Sequence, residues 1–153
     1  MLLHGSCAAL KGEAVLLLAP PGGGKSDLLL RLLGQGWELV ADDQVILEAD
    51  QGLLRASPPP ALAGRMEVFG LGLLEGLAFR TAPLRLAVRL VPQPELSRLP
   101  LPETWEALGL TLPLLRLNAA APAAPEILIR AMDVLAGRLK LSAGAFTDRA
   151  FAT

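Results

Sequence analysis

The sequence predicts an α/β fold, a central mixed sheet with flanking helices, on three observations. A continuous apolar run, residues 14–18, leads into a glycine-rich loop and then into a leucine-rich stretch closed by glycines. A second short apolar segment, residues 37–41, follows that stretch, so strand, loop, helix and strand open the chain as the start of a βαβ unit. Downstream, short apolar runs bounded by Pro, Gly and Asp read as further strands, and residues 126–139 have helical spacing.

Residues 14–18 are apolar throughout and bounded by Gly12 and Pro20-Pro21, the pattern of a strand buried on both faces. From Lys25 to Leu33 the leucines oppose Arg31, and Gly34 and Gly36 close the stretch as a helix. Residues 37–41 form a second strand ending in Asp42-Asp43. Residues 44–48 and 53–56 flank Ala49-Asp50-Gln51-Gly52 as a hairpin. Pro58-Pro59-Pro60 forces an extended or turn segment. Residues 66–72, Met-Glu-Val-Phe-Gly-Leu-Gly, mix strand formers with glycines that let the backbone bend or approach a ligand. Residues 84–91 alternate as a half-solvated strand, with Arg85 and Arg89 on a face that could meet an acidic partner. Residues 92–102 hold four prolines and read as a loop or extended crossing. Residues 110–117 read as a strand, broken or edge-placed at Pro113. Residues 119–125 read as a surface linker, 126–139 as a helix with Pro125 in its first turn, and the last ten residues as frayed. With no internal repeat, residues 1–153 read as one domain.

Composition excludes several function classes. Hydrophobic residues make up 52% and charged residues 19%, which rules out a disordered chain. A net charge of −1, 4% aromatic residues and no Tyr leave neither the basic footprint nor the stacking platforms of a nucleic-acid binder. No apolar window approaches the roughly 18 residues of a membrane span. Met1 to Ser6 lacks the basic region of a secretory signal. The single Cys7 forms no internal disulfide, which suits a reducing cytosol, and reads as a small core residue. Trp37 and Trp105 read as core or interface anchors. The expected setting is cytoplasmic. Charge is uneven: residues 1–75 carry 5 basic and 9 acidic side chains, and residues 76–153 carry 9 and 6.

The acidic half holds the chemistry. Residues 19–26 read Ala-Pro-Pro-Gly-Gly-Gly-Lys-Ser against the P-loop pattern G-x-x-x-x-G-K-[ST], with Ala19 in place of the leading Gly. In such a loop, residues 20–24 cradle the phosphates: Pro20 and Pro21 shape the turn, Gly22, Gly23 and Gly24 point backbone N–H groups inward as an anion nest, and the helix N-terminus adds its positive end. Lys25 reaches the β- and γ-phosphates of ATP, and the Ser26 hydroxyl ligates Mg²⁺. Three consecutive glycines destabilise any structure that does not need them, and Lys25 is one of only three lysines.

Asp42 and Asp43 end the strand after that helix, where α/β sheets bind ligands. A pair of carboxylates there allows one to hold the metal and the other to take a proton from an attacking hydroxyl. His4-Gly5-Ser6, the loop 19–26, Val40-Ala41-Asp42-Asp43 and Glu67-Val68-Phe69-Gly70-Leu71-Gly72 occur in an order that resembles bacterial HPr kinase/phosphorylase, and more closely its short form without the separate N-terminal domain. The resemblance covers residues 4–77 strongly and thins from about 80 onward.

The resemblance implies a P-loop kinase domain related to phosphoenolpyruvate carboxykinase. Its expected activity is ATP- and Mg²⁺-dependent phosphorylation of a serine of the phosphocarrier HPr, by a homo-oligomer that is hexameric in the family. It implies Lys25 as phosphate-binding lysine, Ser26, Asp42 and Glu67 as metal ligands, and Asp43 as general base, reversing to acid in phosphorolysis. His4 supports the phosphates, and Arg98 of Arg98-Leu99 is the expected downstream arginine. Phe69 stands where the family pattern has Arg, and residues 116–125 hold no counterpart of the family's late basic loop, which favours kinase over phosphorylase activity. Two alternatives remain open on the same loop, a small-molecule kinase or plain ATPase and a nucleotide-binding regulatory module.

Overall fold

The computed structural model describes residues 1–147. Thirteen elements follow in order: β1 (Leu2–His4), β2 (Ser6–Leu10), β3 (Glu13–Leu18), α1 (Lys25–Leu33), β4 (Glu38–Ala41), β5 (Gln44–Asp50), β6 (Leu53–Ser57), β7 (Met66–Val68), β8 (Gly72–Leu74), β9 (Ala82–Leu90), β10 (Glu103–Ala107), β11 (Leu110–Leu117) and α2 (Ala124–Leu135). Nine of the strands other than β7 and β8 form one large curled mixed sheet, ordered β1-β5-β6-β9-β3-β2-β4, with β11 on β9 and β10 on β11. β9 is its branch point: its first residues pair antiparallel with β6, and the strand runs parallel to β3 and to β11.

β3 is buried on both faces, as its apolar run predicts. Val15 and Leu17 pack with Leu28, Leu29 and Leu32 of α1 and Leu128 and Met132 of α2. Leu16 and Leu18 point the other way, against Val40, Val45, Leu47 and Leu54. That alternation is the period of a strand, and it places one apolar layer on each side of the sheet. The predicted 44–56 hairpin is β5–β6, turning at Gln51 and Gly52. Residues 66–74 fold as the separate β7–β8 hairpin.

Several expectations need correction. β3 and β4 are parallel but not neighbours, because β2 lies antiparallel between them. The short apolar run Ser6–Leu10 carries no period that distinguishes it, and only its pairing partners make it a central strand. β9 is a central strand rather than a half-solvated one: Leu86, Ala87 and Val88 are wholly buried, Pro83 is half-buried, and Arg85 and Arg89 are its exposed residues. At Pro113 the second of the two expected alternatives holds: β11 is not broken there, but Pro113 has a partner on one side only, Thr104 on β10, because the pairing with β9 begins at Leu114. Residues 103–107, to which the sequence assigns no element, form β10. The segment 119–125 is no surface linker, since Ala119, Ala124 and Pro125 are buried. α2 begins two residues earlier than expected and ends at Leu135, where Gly137 takes φ 80 and Arg138 N donates to Asp133 O. Of the ten terminal residues expected to fray, Ala145 and Phe146 pack on the helical core layer, and residues 148–153 lie outside the described residues. Trp37 is a core residue, and Trp105 packs partly buried on the other layer.

Candidate active site

β3 delivers the chain into the loop 19–24, and α1 starts directly after it. Gly24 takes φ 92 and Gly22 φ 80, the left-handed region that favours glycine. Gly23 is required by space instead, because a Cβ there would lie 2.5 Å from the Ala19 Cβ and 2.9 Å from Pro20 O. The Gly23 amide donates to Pro20 O at 2.9 Å and tightens the turn. Ala19, at the place of the leading glycine, is not among the residues with positive φ, so its side chain strains no backbone.

Lys25 is 6% exposed. Its Nζ donates to Ala19 O at 2.9 Å and to Pro20 O at 3.5 Å, and among the described residues it has no carboxylate partner. A buried ammonium held by carbonyl dipoles is suited to pair with an anion. The first-turn amides of α1 have no intrahelical partner and carry the helix's positive end. Beside them Gly22, Gly23, Gly24 and Asp27 line a cavity of about 410 Å³, closed opposite by Asn118 and Ala119. The Arg31 guanidinium donates to Ala119 O and Ala121 O and holds this wall against α1.

The carboxylates sit on the other side of Ser26. Asp42 Oδ1 accepts from Ser26 Oγ at 2.8 Å and from Ser6 Oγ at 3.0 Å, while Oδ2 accepts from Glu67 N at 3.1 Å. Asp42 therefore ties α1, the start of β2 and the β7–β8 hairpin to one point. Asp43 takes φ 69, a conformation that Asp tolerates better than most residues. It is held there by Gly5 N on its carbonyl at 2.9 Å and by the Ser6 hydroxyl accepting from its amide at 3.2 Å. Its side chain turns outward, and Oδ1 lies 3.4 Å from His4 Nδ1. Gly5 is fixed by close packing, since a Cβ would meet Leu17 O at 3.0 Å and Leu16 Cδ1 at 3.2 Å.

Ser26, Asp42, Asp43 and Glu67 line one cleft of about 280 Å³. Ser26 joins the two parts: it lines this cleft with both aspartates and Glu67 and shares a further cavity with Gly22 and Glu67, while His4 stands beside Asp43 and Lys25 bonds to Ala19 O and Pro20 O. Arg98 is elsewhere: the 91–102 segment carries it over β11 and α2, where it lines a separate cavity of about 740 Å³ with Glu103 and Ile127. Sequence reasoning passed over Ser6, which orients both aspartates; its signal was its place beside His4 and Gly5. It also passed over the Arg65–Glu75 ion pair, 2.5 Å long, at the rim of the cleft. Cys7 is wholly buried, and burial pushes its thiol well above the usual range, which makes it a core residue.

The oxygen donors of Ser26, Asp42 and Glu67 suit Mg²⁺, a hard cation that takes one or two carboxylates and completes its shell with phosphates and water. Among the described residues no cluster of three His, Cys, Asp or Glu forms a ready-made metal cage. No helix among them is long and apolar enough to cross a membrane.

The chain has relatives among known proteins. The chain is 37% identical over 140 residues to HPr kinase/phosphorylase of Burkholderia cenocepacia and of Paraburkholderia phymatum, an alignment covering 84% of this chain and 44% of each relative. The chain therefore spans under half the length of these curated relatives. The fold matches the structure of the Hpr(Ser) kinase/phosphatase from Coxiella burnetii with a TM-score of 0.77 at 21% identity, over 90% of this chain and 99% of that one. The HPr Serine kinase C-terminal domain family matches residues 1–133, which take in the loop, both aspartates and Glu67, and the chain belongs to that family.

Proposed function

We propose that residues 1–153 act as one P-loop kinase domain, a cytoplasmic bacterial enzyme that transfers the γ-phosphoryl group of ATP to a serine of the phosphocarrier HPr. The observation that carries this reading is the division of labour between adjacent aspartates. Asp42 is bonded to Ser26, whereas Asp43 is turned away from it, toward His4.

Lys25 and the first-turn amides of α1 bind and orient the phosphates. Ser26, Asp42 and Glu67 would hold Mg²⁺, which would supply positive charge to neutralise the phosphates. Asp43 accepts the proton of the seryl hydroxyl as the oxygen–phosphorus bond forms. His4, whose Nδ1 lies 3.4 Å from Asp43 Oδ1, supports that carboxylate. In the reverse direction Asp43 returns the proton to the serine oxygen. Phe69 places no cation on the hairpin tip, so phosphorolysis runs slower than transfer to serine. The assembly is a homo-oligomer, a hexamer by resemblance, which light scattering tests directly.

The deciding assay incubates the protein with γ-labelled ATP and Mg²⁺, with and without HPr. Label on a seryl group of HPr, lost in Lys25→Ala while the circular-dichroism spectrum is kept, is the expected result. Phosphate release that is indifferent to HPr marks an ATPase, and binding without turnover marks a regulatory module.

A further inference from the structure

Resting on the kinase reading, we propose that Arg65 is the cation that receives the phosphate dianion on the acceptor side of the cleft, and that Glu75 holds it in reserve until the dianion arrives. Four carboxylates, Asp42, Asp43, Glu67 and Glu75, line this cleft. Among the described residues lining it, Arg65 is the one cation. A dianion entering beside four carboxylates needs positive charge, and Arg65 is where the lining itself supplies it.

The local structure sets Arg65 for exchange. Met66 of β7 pairs with Leu74 of β8, so Arg65 and Glu75 continue the hairpin ladder by one step and face each other across its open end. Arg65 N is anchored on Leu62 O at 3.1 Å, while the guanidinium meets Glu75 Oε1 at 2.5 Å through Nη2 alone. The two side chains are 51% and 66% exposed, and an ion pair so exposed costs little to open. A phosphate dianion offers the guanidinium two oxygens and more charge than one carboxylate, so the exchange is downhill once the dianion is in place. Arg65 makes and breaks no covalent bond; it holds oxygens. Its position, one step before β7, lies four residues from Phe69 on the same hairpin, and it supplies from the base of the hairpin the charge that the tip lacks.

A structural staple and a reserve cation predict different signs. Breaking a staple from either side weakens the hairpin alike, whereas removing the cation and removing its holder act oppositely on anion binding. The test titrates inorganic phosphate and, separately, a phosphoserine peptide into the protein with ADP and Mg²⁺ present, following the Arg65 Nε–Hε resonance and the dissociation constant. Arg65→Ala should weaken both dianions by about tenfold to a hundredfold, the worth of a charge-assisted hydrogen bond. Glu75→Gln should tighten them and raise the phosphate-dependent reverse reaction. Arg65→Lys, which keeps the charge and the hairpin, should retain part of the affinity and guards against simple unfolding. Equal effects of Arg65→Ala and Glu75→Gln, or no effect of either, overturn the proposal. Phosphate titration reads Arg65 without any turnover, so a protein that binds phosphate through Arg65 but labels no HPr refutes the kinase reading alone.

Discussion

Asp42 and Asp43 are neighbours in the chain, yet they serve different bonding environments. Asp42 accepts three hydrogen bonds on its two oxygens. An asparagine there offers one acceptor oxygen and an NH₂ that must face a donor, so Asp42→Asn leaves at least one donor unsatisfied at about 1–3 kcal/mol. Thermal melting should fall, and the Mg²⁺ concentration for half-maximal turnover should rise. Asp43→Asn breaks no such knot, because the residue is anchored through its backbone amide and carbonyl. Its melting temperature and nucleotide affinity should stay unchanged while seryl transfer drops by roughly 10²–10⁴-fold, the range of a lost general base. Transfer per bound nucleotide that is equal in both variants rules out Asp43 as the base. The adjacency of two acids was legible in the sequence. Which of them faces solvent was not, because it depends on the positive φ of Asp43 and on Ser6, 36 residues away from Asp42 in the chain.

At the scale of elements, the loop between β3 and α1 is first of all a packing problem. A Cβ at residue 23 would collide with the Ala19 Cβ and with Pro20 O, so residue 23 has no room for a side chain beside Ala19. Gly23→Ala should force the turn open, cost roughly 1–3 kcal/mol in overpacking and weaken nucleotide binding, as read by calorimetric titration. The swap Ala19→Gly with Gly23→Ala should recover part of both losses, since it removes the collision with the Ala19 Cβ. No recovery in the double variant means that the backbone of residue 23, rather than its contact with Ala19, sets the loop. The glycine run announced this loop because its reason is steric and local. The extent of α2 was less legible: residues 136–139 continue the apolar spacing, but Gly137 takes a positive φ and turns the chain back onto Asp133. Arg138 donates to Asp133 Oδ1 at 2.7 Å and holds that carboxyl below the usual range, so this closure weakens as pH falls through the depressed value and is complete above the ordinary one.

For the whole molecule, the site joins elements from distant parts of the chain, so ligand binding should be felt as global stability. Nucleotide with Mg²⁺ at about a hundred times its dissociation constant should add about 2.7 kcal/mol, or roughly 5–11 °C in melting temperature for a chain this size. Lys25→Ala should remove that shift while the unliganded protein still melts cooperatively. A shift that persists in Lys25→Ala places the nucleotide somewhere other than the loop.

What the sequence by itself determined is what near neighbours decide: a doubly buried strand from an apolar run, a turn from three glycines, a helix from leucines opposite Arg31 and a hairpin around Gln51-Gly52. The tertiary structure alone decided that β2 lies between β3 and β4, that β9 is central, and that Arg98 belongs to another cavity. It also decided that Ser6 reaches Asp42 and that Arg65 faces the cleft. Steric and periodic signals act within a few residues. Strand order, in contrast, is set by which apolar faces find one another after the chain has closed long loops, and no local pattern encodes that choice.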